Sequence, residues 1–435
     1  MISTNDFSID KTGLTDVTEK LQKIIDLSAS RKDMLVIEKG IYLVSAIYLK
    51  SNMKIYFSKG SIIKGIPNED SYPLIKTRVA GIDMPWYPAI LNIIDSTNVH
   101  IYGEGIINGS GEYWYYKYWG NDMHGGMRRI YDENNLRWAC DYECKRVRNI
   151  LVSNSNNIII NGLISKDSGF WNLHILYSNN IIVNNVTIDS KSLIGPSTDG
   201  IDIDSSSNVL VENCITYCND DSICVKSGRD SDGIKKGIPS KNIIIRNCKI
   251  NQGFGITLGS EVSGGIENVK IHNIEFNNSE CGFRIKSTKD RKGYIRNIYV
   301  NDINMIDVKY PIHIYTKWNR SYSSCEIPSN SKIKISPSLM PLLDKYNQSF
   351  SNTIIDSLNF NNITSSISND FNSFSRCFTI VGFDDVKIKN ININNFIFKG
   401  HELGIIENVS NLSLNNIKLS ILKYNDKNHD DFDNR

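Results

Sequence analysis

Asn157-Ile158-Ile159-Ile160-Asn161-Gly162, Asn180-Ile181-Ile182-Val183-Asn184-Asn185 and Asn208-Val209-Leu210-Val211-Glu212-Asn213 are three versions of one phrase. Each opens on Asn, runs through apolar residues and closes on Asn or Gly. The phrase occurs earlier as Asn98-Val99-His100-Ile101-Tyr102-Gly103 and later from Asn242, Asn268 and Asn297. From Asn157 onward the leading asparagines are 23, 28, 34, 26 and 29 residues apart. Self-similarity at such a period signals a solenoid. The units are short, rich in β-branched residues and not joined by helical periodicity, so they read as strands rather than leucine-rich or ankyrin repeats. The expected fold is all-β, a right-handed parallel β-helix, and not a sandwich of irregular strands. Asn tolerates left-handed dihedrals at the corners and can stack with its counterpart in the next coil as a hydrogen-bonded ladder.

The theme begins near Leu35 and echoes as late as Asp385 and Asn411. Residues 1–435 therefore read as one β-helix domain. Before it, residues 15–29 carry Leu21, Ile24, Ile25 and Leu27 at helical spacing, with Thr15 or Asp16 placed to cap the first amides. A short N-terminal helix fits the need to cover the open end of a solenoid. Two insertions break the rhythm, at 112–148 and 316–350. The first holds Trp114, Trp119 and Trp138 with several tyrosines and arginines, and the second holds Trp318 and Tyr322. Long excursions from a rigid scaffold are where binding residues accumulate. Trp114, Trp119 and Trp138 are expected to wall off one end of a cleft, with other aromatics packed inside the loop. The acidic tail from Asn425 to Arg435 reads as a disordered end.

Hydrophobic residues at 40% and charged residues at 22% describe a protein with ample core. A net charge of +2 argues against a nucleic-acid surface. No apolar run is long enough to span a membrane. The N-terminal segment lacks the pattern of a signal peptide, so the expected compartment is the cytoplasm, or a secreted or periplasmic one after removal of a leader. The nine cysteines include no Cys-x-x-Cys pair and read as buried thiols.

The chemistry gathers between Pro196 and Gly228. Asp199 and Asp220 are 21 residues apart, about one coil, and Asp221 follows directly. That spacing can place three carboxylates on neighbouring rungs of one wall. Paired carboxylates serve glycosidic bond hydrolysis, one as acid and one as base or nucleophile. The plainer alternative is turn chemistry, since each Asp lies beside Gly, Ser or Asn. Arg284 and Lys286 flank Ile285, so a strand would present both cations on one face.

Ser197-Thr198-Asp199, Asn219-Asp220-Asp221, Gly253-Phe254-Gly255 and Arg284-Ile285-Lys286 resemble, in order, the four motifs of glycoside hydrolase family 28, the polygalacturonase family. The likeness extends over roughly residues 95–320. It implies inverting hydrolysis of glycosidic bonds in pectic, galacturonate-containing chains, without a cofactor or a metal. By resemblance Asp220 is the general acid, and Asp199 with Asp221 holds and deprotonates water. Arg284 and Lys286 are the uronate-binding pair, with Lys226 beside them. Gly13-Leu14-Thr15-Asp16-Val17-Thr18 resembles the start of many β-helical polysaccharide enzymes. The runs Gly259-Ser260-Glu261, Ser263-Gly264-Gly265 and Gly228 to Gly233 resemble the bacterial exo-acting branch, which implies a pocket closed by loops. Ser168 to His174 resembles a further family segment, making Trp171 and His174 substrate-binding candidates alongside Glu261 and Trp138.

One position departs from the pattern, because Phe254 stands where the family has histidine. A phenyl ring cannot donate a proton. Either burial tunes the acid, or another group such as His174 or Glu261 supplies the contact. Phe254 also supports a non-catalytic carbohydrate-binding solenoid as the alternative function. A β-eliminating lyase shares the scaffold but needs Ca²⁺ and an Arg or Lys base, and the ordered Asp motifs argue against it. The expected partner in every case is a pectic oligosaccharide or polysaccharide.

Overall fold

The asparagines that lead each repeat adopt left-handed dihedrals. φ is 56° at Asn98, Asn157, Asn242 and Asn268, 55° at Asn180, 54° at Asn208 and 58° at Asn297. A computed structural model of the chain describes residues 1–192, 194–289, 291–323, 325–343 and 351–424. In it the side chain of each leading Asn bonds to the coil before. Asn157 donates to Asn98 at 2.6 Å, Asn242 to Asn208 at 3.1 Å, and Asn268 to Asn242 at 3.2 Å. A second ladder includes Asn213 on Asn184 and Asn273 on Asn247. Asn does here what few other residues can, because its short amide lowers the cost of φ > 0 and also pairs along the stack.

Asn208 tests this. It donates to Asn179 at 2.8 Å and accepts from Asn242 at 3.1 Å. Asn208→Val is expected to lower unfolding free energy by about 1–2 kcal/mol, since a β-branched residue pays the full left-handed penalty. Asn208→Gly should cost less. Urea denaturation checks the order, and equal losses for both would show that the dihedral is not the cause.

Eleven parallel strands form one sheet whose order follows the sequence, so each coil adds one rung. The rungs around the site are Leu173–Leu176, Ile201–Asp204, Ile223–Lys226, Ile256–Leu258, Cys281–Lys286 and Tyr310–Tyr315. The other long sheet, also parallel, wraps the remaining sides of the right-handed β-helix. The antiparallel hairpin among the described residues pairs Ile75–Val79 with Ile82–Trp86.

Register decides which side chains can meet. Asp202, Cys224, Thr257, Arg284 and His313 are successive partners across five rungs. The alternating residues Ile201, Ile203, Ile223, Val225, Ile256, Leu258 and Ile285 point inward and are buried in the core. Strand alternation therefore puts the polar set on the outer face. Elsewhere outward residues are exposed, as along Ile266–Asn277. On this sheet they are buried, because loops and both insertions cover them.

The N-terminal helix spans Thr18–Arg31 and buries Leu21, Ile24 and Ile25 against the solenoid. It starts later than residue 15 because Thr12–Asp16 is a strand paired with Gly40–Val44. Asp16 still accepts the Thr18 amide at 2.8 Å. The first insertion is helical: Gly111–Trp119, Gly126–Glu133 and Arg137–Glu143. Parts of the second insertion are short turns of helix, at Arg320–Ser323 and Pro337–Leu339. Its residues 344–350 and the acidic tail 425–435 lie outside the described residues. No described helix is long and apolar enough to cross a membrane. All nine cysteines are free thiols, eight buried and Cys325 half-buried.

Candidate active site

The covered outer face opens into a cavity of about 360 Å³. Asp199, Asp220 and Asp221 lie together in its wall, with carboxylate oxygens within 4.8 Å of one another. Backbone geometry brings them there. Asp199 ends the turn leading into Ile201–Asp204, and Asp220 and Asp221 end the matching turn one rung on, before Ile223–Lys226. The Gly200 amide donates to the Asp221 carbonyl at 2.9 Å, which locks the two turns side by side.

Three cations divide the carboxylates between them. Lys286 Nζ lies 2.6 Å from Asp221, Arg284 Nη1 lies 3.6 Å from it, and the Thr257 hydroxyl donates to it at 2.7 Å. Lys226 Nζ lies 3.4 Å from Asp199, 3.5 Å from Asp202 and 3.6 Å from Glu261. The consequences for ionisation differ sharply. Burial pushes Asp221 up, but Lys286, Arg284 and Lys226 outweigh it and hold the carboxyl at about 2. Burial and the negative charges of Asp220 and Asp202 raise Asp199 well above the carboxylate range. Asp220 is raised by burial and by Asp221 beside it. Glu261 is lowered, since Lys226, Arg291 and Lys286 overcome its burial. The surroundings thus favour the ionised form of Asp221 and shift Asp199 and Asp220 toward the protonated form relative to a free carboxyl, the kind of separation acid/base chemistry uses.

Among the described residues two clusters have metal-like spacing: Asp199, Asp220 and Asp221, and Asp199 and Asp202 with the Cys224 thiol. Fixed ammonium groups already serve both, Lys286 on Asp221 and Lys226 on Asp199 and Asp202. The donor set therefore suits neutralisation by protein cations better than a resident metal ion.

The other expected site residues fall into different places. Lys226, Glu261, Trp171, Trp138, Arg284 and Lys286 all line the cavity. Trp171 stacks on Phe170 and carries Lys226 Nζ 5.0 Å from its ring centroid. His174 is a correction. It is fully buried outside the cavity wall, with Nδ1 2.7 Å from Arg148 and Nε2 3.5 Å from Asp204. Burial lowers its pKa to about 4, so it stays neutral and cannot replace the missing histidine. Trp114 is a second correction. It is fully buried where the first insertion meets the solenoid, packed edge-on against Tyr113 and Tyr72, while Trp119 and Trp138 reach the cavity.

Phe254 gains a physical role. The Arg284 guanidinium lies between its ring and that of Trp318, 5.1 and 4.9 Å from the two centroids. Lys286 Nζ also faces Trp318 at 5.0 Å. The aromatic pair holds the cations against Asp221 by cation–π attraction, which strengthens on desolvation.

Asp202, fully buried behind the wall at 3.5 Å from Lys226, is signalled by the Ile201-Asp202-Ile203-Asp204 alternation, which puts it on the face of Lys226. Arg137, Asp141 and Tyr142 have no local signal of their own, and they reach the cavity with Tyr322 and Arg229 only because the insertions and the Gly228–Gly233 loop meet there. That meeting is specific. Trp138 Nε1 donates to the Glu326 carbonyl at 3.1 Å, the Ser336 amide to Glu143 at 2.8 Å, and Arg229 Nη2 to the Tyr322 carbonyl at 2.8 Å. The cavity is roofed from both insertions.

A family model described as "Glycosyl hydrolases family 28" matches residues 80–340. The chain is 31% identical over 284 residues to a probable polygalacturonase of Vitis vinifera, covering 63% of this chain and 54% of the relative. It is 25% identical over 305 residues to an endo-polygalacturonase of Pectobacterium parmentieri, covering 68% and 69%. Its fold matches a hyperthermoactive exopolygalacturonase of Thermotoga maritima with a TM-score of 0.79 and 26% identity, over 96% of this chain and 91% of that one. The chain spans about half the length of the first curated relatives it matches.

Proposed function

Because the chain belongs to glycosyl hydrolases family 28, we propose that it hydrolyses galacturonate-containing pectic chains from their ends, with inversion at the anomeric carbon. The observation that carries the reading is the trio Asp199, Asp220 and Asp221, gathered within 4.8 Å beside Arg284 and Lys286 in one roofed cavity. Asp220 keeps its proton and donates it to the leaving glycosidic oxygen. Asp221, ionised, takes a proton from water as that water attacks the anomeric carbon, and Asp199 orients the water. The carbon–oxygen bond to the leaving sugar breaks as the bond to water oxygen forms.

The carboxyls stand closer than the roughly 6.5–9.5 Å usual for acid and base facing each other across a sugar in inverting enzymes. The water is therefore held beside the cluster by Asp199 and Asp221 rather than between opposed carboxyls. Support for attack at chain ends comes from the roof: Trp119 and Trp138 from the first insertion and Trp318 and Tyr322 from the second line the same cavity. The Thermotoga maritima neighbour is described as an exopolygalacturonase.

The test is one reaction followed three ways. Polygalacturonate should yield short products from the first minutes while viscosity falls slowly, and NMR should find the new reducing end first in the configuration opposite to that of the bond cleaved. Early viscosity collapse would overturn end-on attack. Retained configuration would overturn inversion, and no cleavage of any uronide would overturn the hydrolase reading.

A further inference from the structure

At the roofed end, the catalytic cavity adjoins a second one of about 590 Å³. Arg128, Arg137 and Trp138, all from the first insertion, line both. Arg137 is only 8% exposed. Its Nη1 donates to Asp141 at 2.8 Å, and its guanidinium lies 4.1 Å from the Tyr322 ring centroid. Its Nε has no hydrogen-bond partner among the described residues. A buried guanidinium with an unused donor costs free energy until an acceptor takes it.

The charges around Arg137 leave room for an anion. Asp141 is shared with Arg146 at 3.1 Å and accepts the Ser197 hydroxyl at 3.3 Å. Arg128 pairs with Asp132 at 2.5 Å. Three guanidinium groups thus face two carboxylates in the cluster, and exposed Glu326 lies on the rim of the second cavity. The Asp141–Ser197 contact also fixes the location, because Ser197 is two residues before Asp199. Arg284 and Lys286 contact the trio at Asp221, two rungs beyond Ile223–Lys226 in the sheet. The Arg137 cluster and the Arg284–Lys286 pair therefore reach the acids from different segments of the chain.

Resting on the hydrolase reading above, we propose that Arg137, supported by Arg128, is a specificity-determining residue that binds the carboxylate of the sugar at the roofed end. The planar guanidinium suits a carboxylate, which it can take bidentately. Arg284 and Lys286, which face Trp318, read the neighbouring sugar. The scissile bond then lies between two uronates, and a neutral sugar at the roofed end is disfavoured because the Arg137 guanidinium, paired with Asp141, gains no second anionic acceptor.

The experiment compares kcat/KM on trigalacturonate with kcat/KM on two analogues, each with the carboxyl of one terminal unit reduced to the alcohol. Wild-type protein is expected to discriminate about tenfold or more against the analogue whose neutral unit occupies the roofed end. Arg137→Gln should erase most of that ratio, and Arg128→Gln part of it. A merely structural Arg137 would lower both rates together and leave the ratio unchanged, which overturns the proposal. Should Arg137→Gln fail to fold, the wild-type ratio and the Arg128→Gln ratio decide. Equal wild-type rates on all three substrates overturn the proposal while leaving the hydrolase reading intact; no cleavage of trigalacturonate removes both.

Discussion

Asp220→Asn is expected to lower kcat by about 10²–10⁴-fold, the usual worth of general acid catalysis, with the fold and substrate binding preserved. Asn keeps the shape and can still accept the Asp221 amide, which now donates to Asp220 Oδ1 at 2.9 Å. It has no acidic proton to give the leaving oxygen. The pH dependence follows from the directions of the shifts. Asp220 is raised by burial and by Asp221, so activity falls as pH rises through a value above the ordinary carboxylate range. Asp221 is held at about 2, so loss of the base occurs only in strong acid. In Asp220→Asn the alkaline limb should disappear from the residual rate. Initial rates on trigalacturonate across pH, beside thermal melts, check both points. A variant keeping more than about a tenth of the wild-type rate contradicts the assignment.

Lys226→Met is expected to destabilise the protein by roughly 3–5 kcal/mol, the cost of breaking a buried ion pair by removing one partner. Its ammonium stands between Asp199, Asp202 and Glu261, all buried. Met matches the length of the stem but leaves three carboxylates without their shared cation. Both Asp202 oxygens already lack a hydrogen-bond partner among the described residues, so nothing local replaces Lys226. The loss should depend on pH with a definite sign. Asp199 and Asp202 are raised above 3.8, chiefly by burial. A raised carboxyl contributes stability that is complete below its unfolded pKa and lost as pH rises through its folded one. Without Lys226 both rise further, so the deficit is largest near neutrality and shrinks toward about pH 4.5. Further down Asp221 and Asp204, each held at about 2, work the other way, losing their stabilisation as pH falls toward that value. Urea unfolding near pH 7 and pH 4.5 reads the trend. A deficit that grows on acidification would show that the ammonium is not the partner these carboxylates need.

The solenoid was legible because its cause is local. Asn157, Asn180, Asn208, Asn242 and Asn268 each mark a left-handed kink that few other residues tolerate, and the apolar alternation after each is a property of a few consecutive residues. The ordered motifs likewise placed Asp199, Asp220, Asp221, Arg284 and Lys286 in one wall, since residues one coil apart in a parallel stack have little choice of neighbour. The N-terminal helix was visible too, and shifted only because strand pairing claimed Thr12–Asp16.

What stayed hidden depends on which distant segment covers an outward side chain. His174 and Asp202 are direct partners on adjacent rungs and both fully buried, yet the first is tied to Arg148 while the second contacts Lys226, which lines the cavity. Trp114 and Trp119 share a helix, but one packs inside the insertion and the other faces the cavity. Trp138 meets Glu326 across 188 positions of chain, and the roof of the site exists only through such contacts. The proton order among the three acids is hidden for the same reason. Identical side chains in similar turns separate in pKa because Lys286 and Arg284 reach Asp221 while Asp220 and Asp202 crowd Asp199, and those are distances in space rather than in sequence.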